Sequence, residues 1–183
     1  MHAVERWFGE GFDTLHPRLR ELHRRGSVLR GEVVVTFGAG LSGWIGRRLA
    51  RRMGAPDRAC TTELRVDLHA DNEVLHWHRT FGGTKTMLSR FVPVGAWPDG
   101  HWLETTGPLR LALSVDTASG GWRWCTRRAW LHGLRVPLAV LPRVQAGKRI
   151  DDAGGYVFEV SVSWPLLGTL FAYSGRLAAD PVT

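Results

Sequence analysis

An alternation of apolar and polar residues, renewed many times between Leu64 and Leu177, constrains this chain more than any other feature. Successive strand side chains point to opposite faces, so a period of two marks strands with one buried face. Leu64, Val66 and Leu68 alternate with Arg65, Asp67 and His69, and Asp71-Asn72 then supplies a turn. The returning segment puts Leu75, Trp77, Arg79 and Phe81 on one face and His76, His78 and Thr80 on the other. Gly82-Gly83 leads into a strand over 85–94, and further strands are predicted over 102–106, 109–116, 122–131, 144–151, 156–164 and 169–177. Short strands at near-regular spacing predict a meander that closes or nearly closes on itself.

Ahead of the meander, Phe12, Leu15, Leu19 and Leu22 recur at spacings of three and four, with Pro17 suited to a first helical turn and Gly26 to a stop. This predicts a helix over 14–25, followed by a strand over 28–37 and a second helix over 44–53. The second helix carries Leu41, Ile45, Leu49 and Met53 on one stripe, expected to dock on the sheet. The fold class is α+β, mainly antiparallel β: a curved sheet or barrel, lipocalin-like or helix-capped, with two short N-terminal helices. A single domain over 1–183 is expected, with the helical and strand segment 1–56 packing on the meander 57–177. That length can bury a core without disulfides or metals, and 44% hydrophobic with 22% charged residues excludes a disordered tail or a fibre.

Gly38-x-Gly40-x-x-Gly43 between a strand and a helix has the order of a dinucleotide-binding turn. Its context argues against one. That fold needs a second parallel strand ending in an acid and repeated crossover helices, whereas Gly54-Ala55-Pro56-Asp57 follows the helix and no later segment has helical periodicity. No cofactor is expected. Ser42 lacks the spacing of a nucleophile elbow, and no catalytic residue stands out.

The net charge of +7 invites an anionic partner. Its arginines are scattered rather than gathered in one run, so nucleic acid is not an expected partner. Around Trp44 the arginines Arg47, Arg48, Arg51 and Arg52 do cluster, as on helices that lie on anionic membranes, so peripheral membrane contact is kept as an alternative, with nucleic-acid attachment through the same residues. Cys60 and Cys125 stand alone, without a metal-knuckle or redox spacing; whether they are bridged stays open. His76 and His78 share a strand face, but eight histidines make such a pair unsurprising and no metal site is assigned. No apolar run approaches the roughly 20 residues of a span, and the first residues mix acids and glycines, so a soluble cytoplasmic protein is expected.

Two residues stand against the polarity of their face. Arg79 lies among Trp77 and Phe81, and a guanidinium enters an apolar face only with a partner. Glu104, on the face of Trp102, is the nearest candidate; Glu159 alternates with Tyr156, Phe158, Val160 and Val162 and so points outward. Either the two form a register-fixing ion pair, or Arg79 faces a cavity and grips an anionic head group while Glu104 orients it. Trp77, Phe81, Trp102, Phe158 and Tyr173 would then wall an apolar tail.

Leu15-His16-Pro17, Trp77-x-Arg79-x-Phe81, Glu104 before Gly107-Pro108, Gly133-Leu134-x-x-Pro137, Leu141-Pro142, Pro165-Leu166-Leu167-Gly168 and Tyr173-Ser174-Gly175 together resemble an uncharacterised bacterial family, the domain of unknown function numbered 4166. Some members look like C-terminal partners of saccharopine-dehydrogenase-like nicotinamide domains. The resemblance implies a β-rich fold and a dehydrogenase-like protein partner, and transfers no activity. Three readings follow: a binding module for a small hydrophobic or amphipathic, lipid-like anion; an enzyme or accessory subunit of a nicotinamide-dependent oxidoreductase; and attachment to an anionic surface.

Overall fold

The structure, a computed structural model, describes residues 2–179. Its elements are α1 (Ala3–Phe8), a 3-10 turn (Gly9–Thr14), α2 (Pro17–Arg25), β1 (Ser27–Phe37), α3 (Gly40–Met53), β2 (Cys60–Ala70), β3 (Leu75–Phe81), β4 (Lys85–Val94), β5 (His101–Thr106), β6 (Leu109–Asp116), β7 (Trp122–Leu131), β8 (Leu134–Val136), β9 (Arg143–Ile150), β10 (Tyr156–Trp164) and β11 (Gly168–Ala179). Each strand from β1 to β7 pairs antiparallel with the next, β7 pairs with β9, and β9 to β11 return to β1. All strands but β8, which only lengthens β7 as a hairpin, thus form a closed antiparallel barrel. Closure removes the free edges that an open sheet would leave. The expected meander closes, and helices cap it.

The ring is uneven. β6 pairs with β7 from Leu109–Leu131 to Asp116–Arg123, but β7 meets β9 only at Trp122–Lys148, Arg123–Gly147 and Trp124–Ala146. Beyond Trp124, β7 leaves β9 and folds back on β8. The barrel wall is therefore slit between β7 and β9 toward one end.

The other end is plugged. Trp7 and Phe8 of α1 are buried against Trp102 at 5.3 Å and Trp122 at 5.1 Å between ring centroids. The amide of Trp97 donates to Trp7 O at 2.9 Å and that of His16 to Gly120 O at 2.9 Å, which tie the plug to the β4–β5 and β6–β7 loops. Arg24 Nε donates to Glu5 Oε1 at 2.6 Å, fixing α2 to α1. α1 was not legible as a helix because six residues give fewer than two turns of periodicity.

α3 docks chiefly by a face of small residues, with Ile45, Leu49 and Met53 of its apolar stripe packed beside it and Leu41 left outside. Its buried residues are Ser42, Gly43, Gly46 and Ala50, while Leu41 is 61% exposed and Ile45, Leu49 and Met53 are only partly covered. Glycine explains the choice of face. A Cβ on Gly46 would lie 2.1 Å from Leu170 O, so the helix backbone rests directly on β11, closer than leucines could bring it. Gly38 also lies against β11, its Cβ position 2.1 Å from Thr169 O, and Gly43 packs on the Gly38 carbonyl, with a Cβ position 2.1 Å from Gly38 O. β1 is antiparallel to both neighbours, so the Gly38–Gly43 turn sits in no parallel crossover fold.

Gly46→Ala should lower thermal stability, by about 1–3 kcal/mol for an overpacked contact. Gly147→Ala, whose new methyl would find its nearest neighbour at 3.8 Å, should leave the melting temperature nearly unchanged. Equal effects of the two would refute the seating of α3 on bare backbone.

Candidate functional site

The alternation of β3, β4, β5 and β11 turns Arg79, Ser89, Glu104, Thr106 and Tyr173 into the barrel. Arg79 is 6% exposed. Its Nη1 donates to the Tyr173 hydroxyl at 3.1 Å, and its Nη2 donates to Ser89 Oγ. A guanidinium only donates, so Ser89 must accept and pass its own hydrogen on. Ser89 Oγ lies 2.9 Å from Thr106 Oγ1, and Thr106 donates to Glu104 Oε1 at 3.2 Å. The chain of donors thus runs from cation to carboxylate through two hydroxyls. Among the described residues no carboxylate lies within 4.0 Å of Arg79, so Arg79 and Glu104 are linked but do not form an ion pair.

Arg79 Nε and the indole N–H groups of Trp77 and Trp124 are buried without a hydrogen-bond partner among the described residues. Burial pushes the Tyr173 hydroxyl up, partly opposed by Arg79, so at neutral pH the phenol is uncharged and keeps an O–H to donate. Arg79, Trp77, Trp124 and Tyr173 all border one inner chamber of about 60 Å³. Beside these donors the lining also carries the Glu104 carboxyl and the hydroxyls of Thr106 and Thr126. The rest of its wall is apolar, with Leu109, Leu111, Val144, Val160 and Val162.

The chamber opens into a wide cleft of about 1830 Å³. Inward-facing Val144, Ala146 and Val160 line that cleft together with outward-facing Arg123, Gln145 and Glu159, as the slit between β7 and β9 requires. Ile45, Leu49 and Met53 of α3 form one wall, so the stripe beside the glycine face borders the cleft. Leu138, Leu141 and Pro142, between β8 and β9, form another.

Of the residues singled out by sequence, Trp77, Arg79, Glu104 and Tyr173 line the chamber. Phe81, Trp102 and Phe158 share the inward face but not the lining: Phe81 and Phe158 pack on the Tyr173 ring at 5.4 and 5.5 Å, and Trp102 lies in the plug cluster. Of the outer-face histidines, His76 stacks on His69 and meets His78 edge-on, each at 6.4 Å, and no three metal-binding groups gather among the described residues. Cys60 and Cys125 are free and exposed. No helix of the described residues is long and apolar enough to cross a membrane.

One pair escaped the sequence reading. Lys148 of β9 is 3% exposed, with Nζ 2.6 Å from His23 Nε2 and 3.9 and 4.4 Å from the ring centres of Trp122 and Trp77. His23 lies 2.8 Å from Leu19 O through Nδ1, which as donor leaves Nε2 to accept from the amine. Burial holds Lys148 well below the usual lysine range; burial, then Lys148, hold His23 below the usual histidine range.

A family described as Domain of unknown function (DUF4166) matches residues 15–177, most of the chain, and the chain belongs to it. No curated protein matches the sequence.

The Lys148–His23 pair sets a pH dependence. In the unfolded chain these bases protonate near 10.5 and 6.5, and in the fold only at lower pH. The unfolded state therefore binds more protons across each window, and stability rises with pH through it. The urea midpoint should climb between pH 7 and about pH 9, before the unfolded-state ionisation of Tyr156 and Tyr173, which burial opposes in the fold, begins to act in the opposite sense. Lys148→Met should be more stable at pH 7 and lose that climb. An unchanged climb in the variant would mean that Lys148 does not control it.

Proposed function

We propose that this member of the DUF4166 family is a binding module that holds a small amphipathic anion, its head group at Arg79 and its apolar tail running toward the cleft. The observation that carries the reading is the unmatched polarity of the chamber: a buried guanidinium without a carboxylate within 4.0 Å among the described residues, beside indole N–H groups that lack acceptors. A buried cation and buried unpaired donors are costly, and an oxyanion relieves both at once. Trp77, Arg79, Trp124 and Tyr173 supply the donors around it. Glu104, reached through Thr106 and Ser89, orients the guanidinium and keeps its far side engaged.

Shape and polarity agree with that chemistry. The chamber holds roughly four water-sized volumes, enough for a carboxylate or a phosphate but not for a long chain. A tail therefore has to leave along Leu109, Leu111, Val144 and Val160 into the cleft, where α3 offers Ile45, Leu49 and Met53. Ligands of this kind are commonly held at barrel mouths by a mostly apolar wall with a few placed polar groups. The aromatic core beneath, with Trp102, Trp122 and Phe158 buried, acts as the floor.

Trp77 and Trp124 report on the chamber, so tryptophan quenching can follow titration with dodecanoate, dodecyl phosphate and the uncharged dodecanol. The anions should bind more tightly than the alcohol, and Arg79→Met should remove most of that preference. A hydrogen-bonded charge contributes about 2 kcal/mol, roughly a 30-fold loss for the anions with little change for dodecanol. Equal affinity of acid and alcohol for the wild type would overturn the reading.

A further inference from the structure

We propose that the open end of the barrel is a docking surface for anionic lipid bilayers. Of the ten exposed large apolar residues among the described residues, seven gather at one end, while Val34, Leu88 and Val94 lie along strands. Leu41 and Trp44 belong to the start of α3, Leu131, Leu134, Leu138 and Val140 to the flap between β7 and β9, and Leu166 to the β10–β11 turn. All of these belong to the end away from the α1–α2 plug. Leu134 is 76% exposed, Trp44 56%, and Leu166 fully so. A soluble surface scatters such residues singly; gathered around a cleft they mark a binding face.

Charge identifies the partner. Arg48, Arg52, Arg123 and Arg143 line the cleft, against one carboxylate, Glu159. Among the described residues none of these four arginines has a carboxylate within 4.0 Å. The Arg48 guanidinium lies over the Trp44 ring at 5.2 Å, so the helix presents an indole and a cation side by side. Indoles sit at the level of lipid head groups, leucines enter the acyl boundary just below, and arginines pair with the phosphates. A second copy of the chain fits poorly, because a two-fold interface through this face would set its arginines against their own copies.

This docking would place the slit between β7 and β9 against the bilayer. An amphipathic anion could then pass between membrane and chamber without its tail crossing water. The transfer step rests on the chamber reading of Proposed function; the docking itself does not.

The test is co-sedimentation of the full chain with vesicles of phosphatidylcholine alone and of phosphatidylcholine with about 30% phosphatidylserine, chosen as the probe composition. The expected result is capture by the anionic vesicles only, with a blue shift of tryptophan emission and a roughly tenfold or greater loss between about 0.1 and 0.5 M salt. The double variant Leu134→Asp/Leu166→Asp should lose capture. Both positions are exposed and neither lines the cleft, so the variant should keep its circular dichroism and its quenching by dodecanoate. Absence of capture at the lower salt, equal capture by neutral vesicles, unchanged capture of the double variant, or a wild-type dimer that the double variant abolishes would each overturn the docking proposal. Vesicle capture without dodecanoate quenching would instead leave docking standing and remove the chamber reading.

Discussion

The barrel depends on three residue pairs. β7 and β9 complete the ring only at Trp122–Lys148, Arg123–Gly147 and Trp124–Ala146, and the plug converges on the same place. His23 of α2 stacks on Trp122 at 4.9 Å and meets Lys148 Nζ, while Phe8 of α1 packs edge-on against that indole. A two-strand contact of this length would be weak alone. Here it is buttressed by two helices, a stacked histidine and a lysine between two indole faces. Closure, plug and aromatic core are one cluster seen from three sides.

That arrangement divides the interior by height. Near the seam it is solid with Trp7, Trp102, Trp122 and Trp124; above it the walls part and Leu109, Leu111, Val144, Val160 and Val162 join the aromatic residues. Arg79 stands at the boundary, its guanidinium carbon 5.9 Å from the Trp77 ring and its hydrogen bonds running sideways to Tyr173 and Ser89. A cation at such a boundary is held by neutral hydroxyls, with no carboxylate within 4.0 Å among the described residues. Its electrostatic demand, more than the size of the space, gives the chamber its chemical character.

Much of this was written in the period of two. The alternation of Leu75, Trp77, Arg79 and Phe81 placed Arg79 inside, and that of Trp102 and Glu104 did the same for the acid. Alternation fixes the face of a side chain but not its height along the barrel. Phe81, Trp102 and Phe158 could therefore not be told from lining residues, though they pack behind or below. Lys148 obeys the same rule, inward after Val144 and Ala146, yet Gly147 and the flanking Arg149 blur the pattern. On α3 the apolar stripe drew the eye, whereas close approach of backbone selected the glycine face. β8 spans three residues, too few to carry any periodicity.

β1 and β11, three junctions round the ring from the seam, pair strands far apart in sequence: Val33 faces Gly175 and Phe37 faces Phe171. Until the last strand is in place, the growing sheet has two bare edges, and α3 lacks β11, the strand on which its glycine face rests. Such long-range pairing makes folding slow relative to a helical protein of this size. It also makes the unclosed sheet the species most prone to pair with its neighbours. Productive folding thus hinges on how soon β11 finds β1.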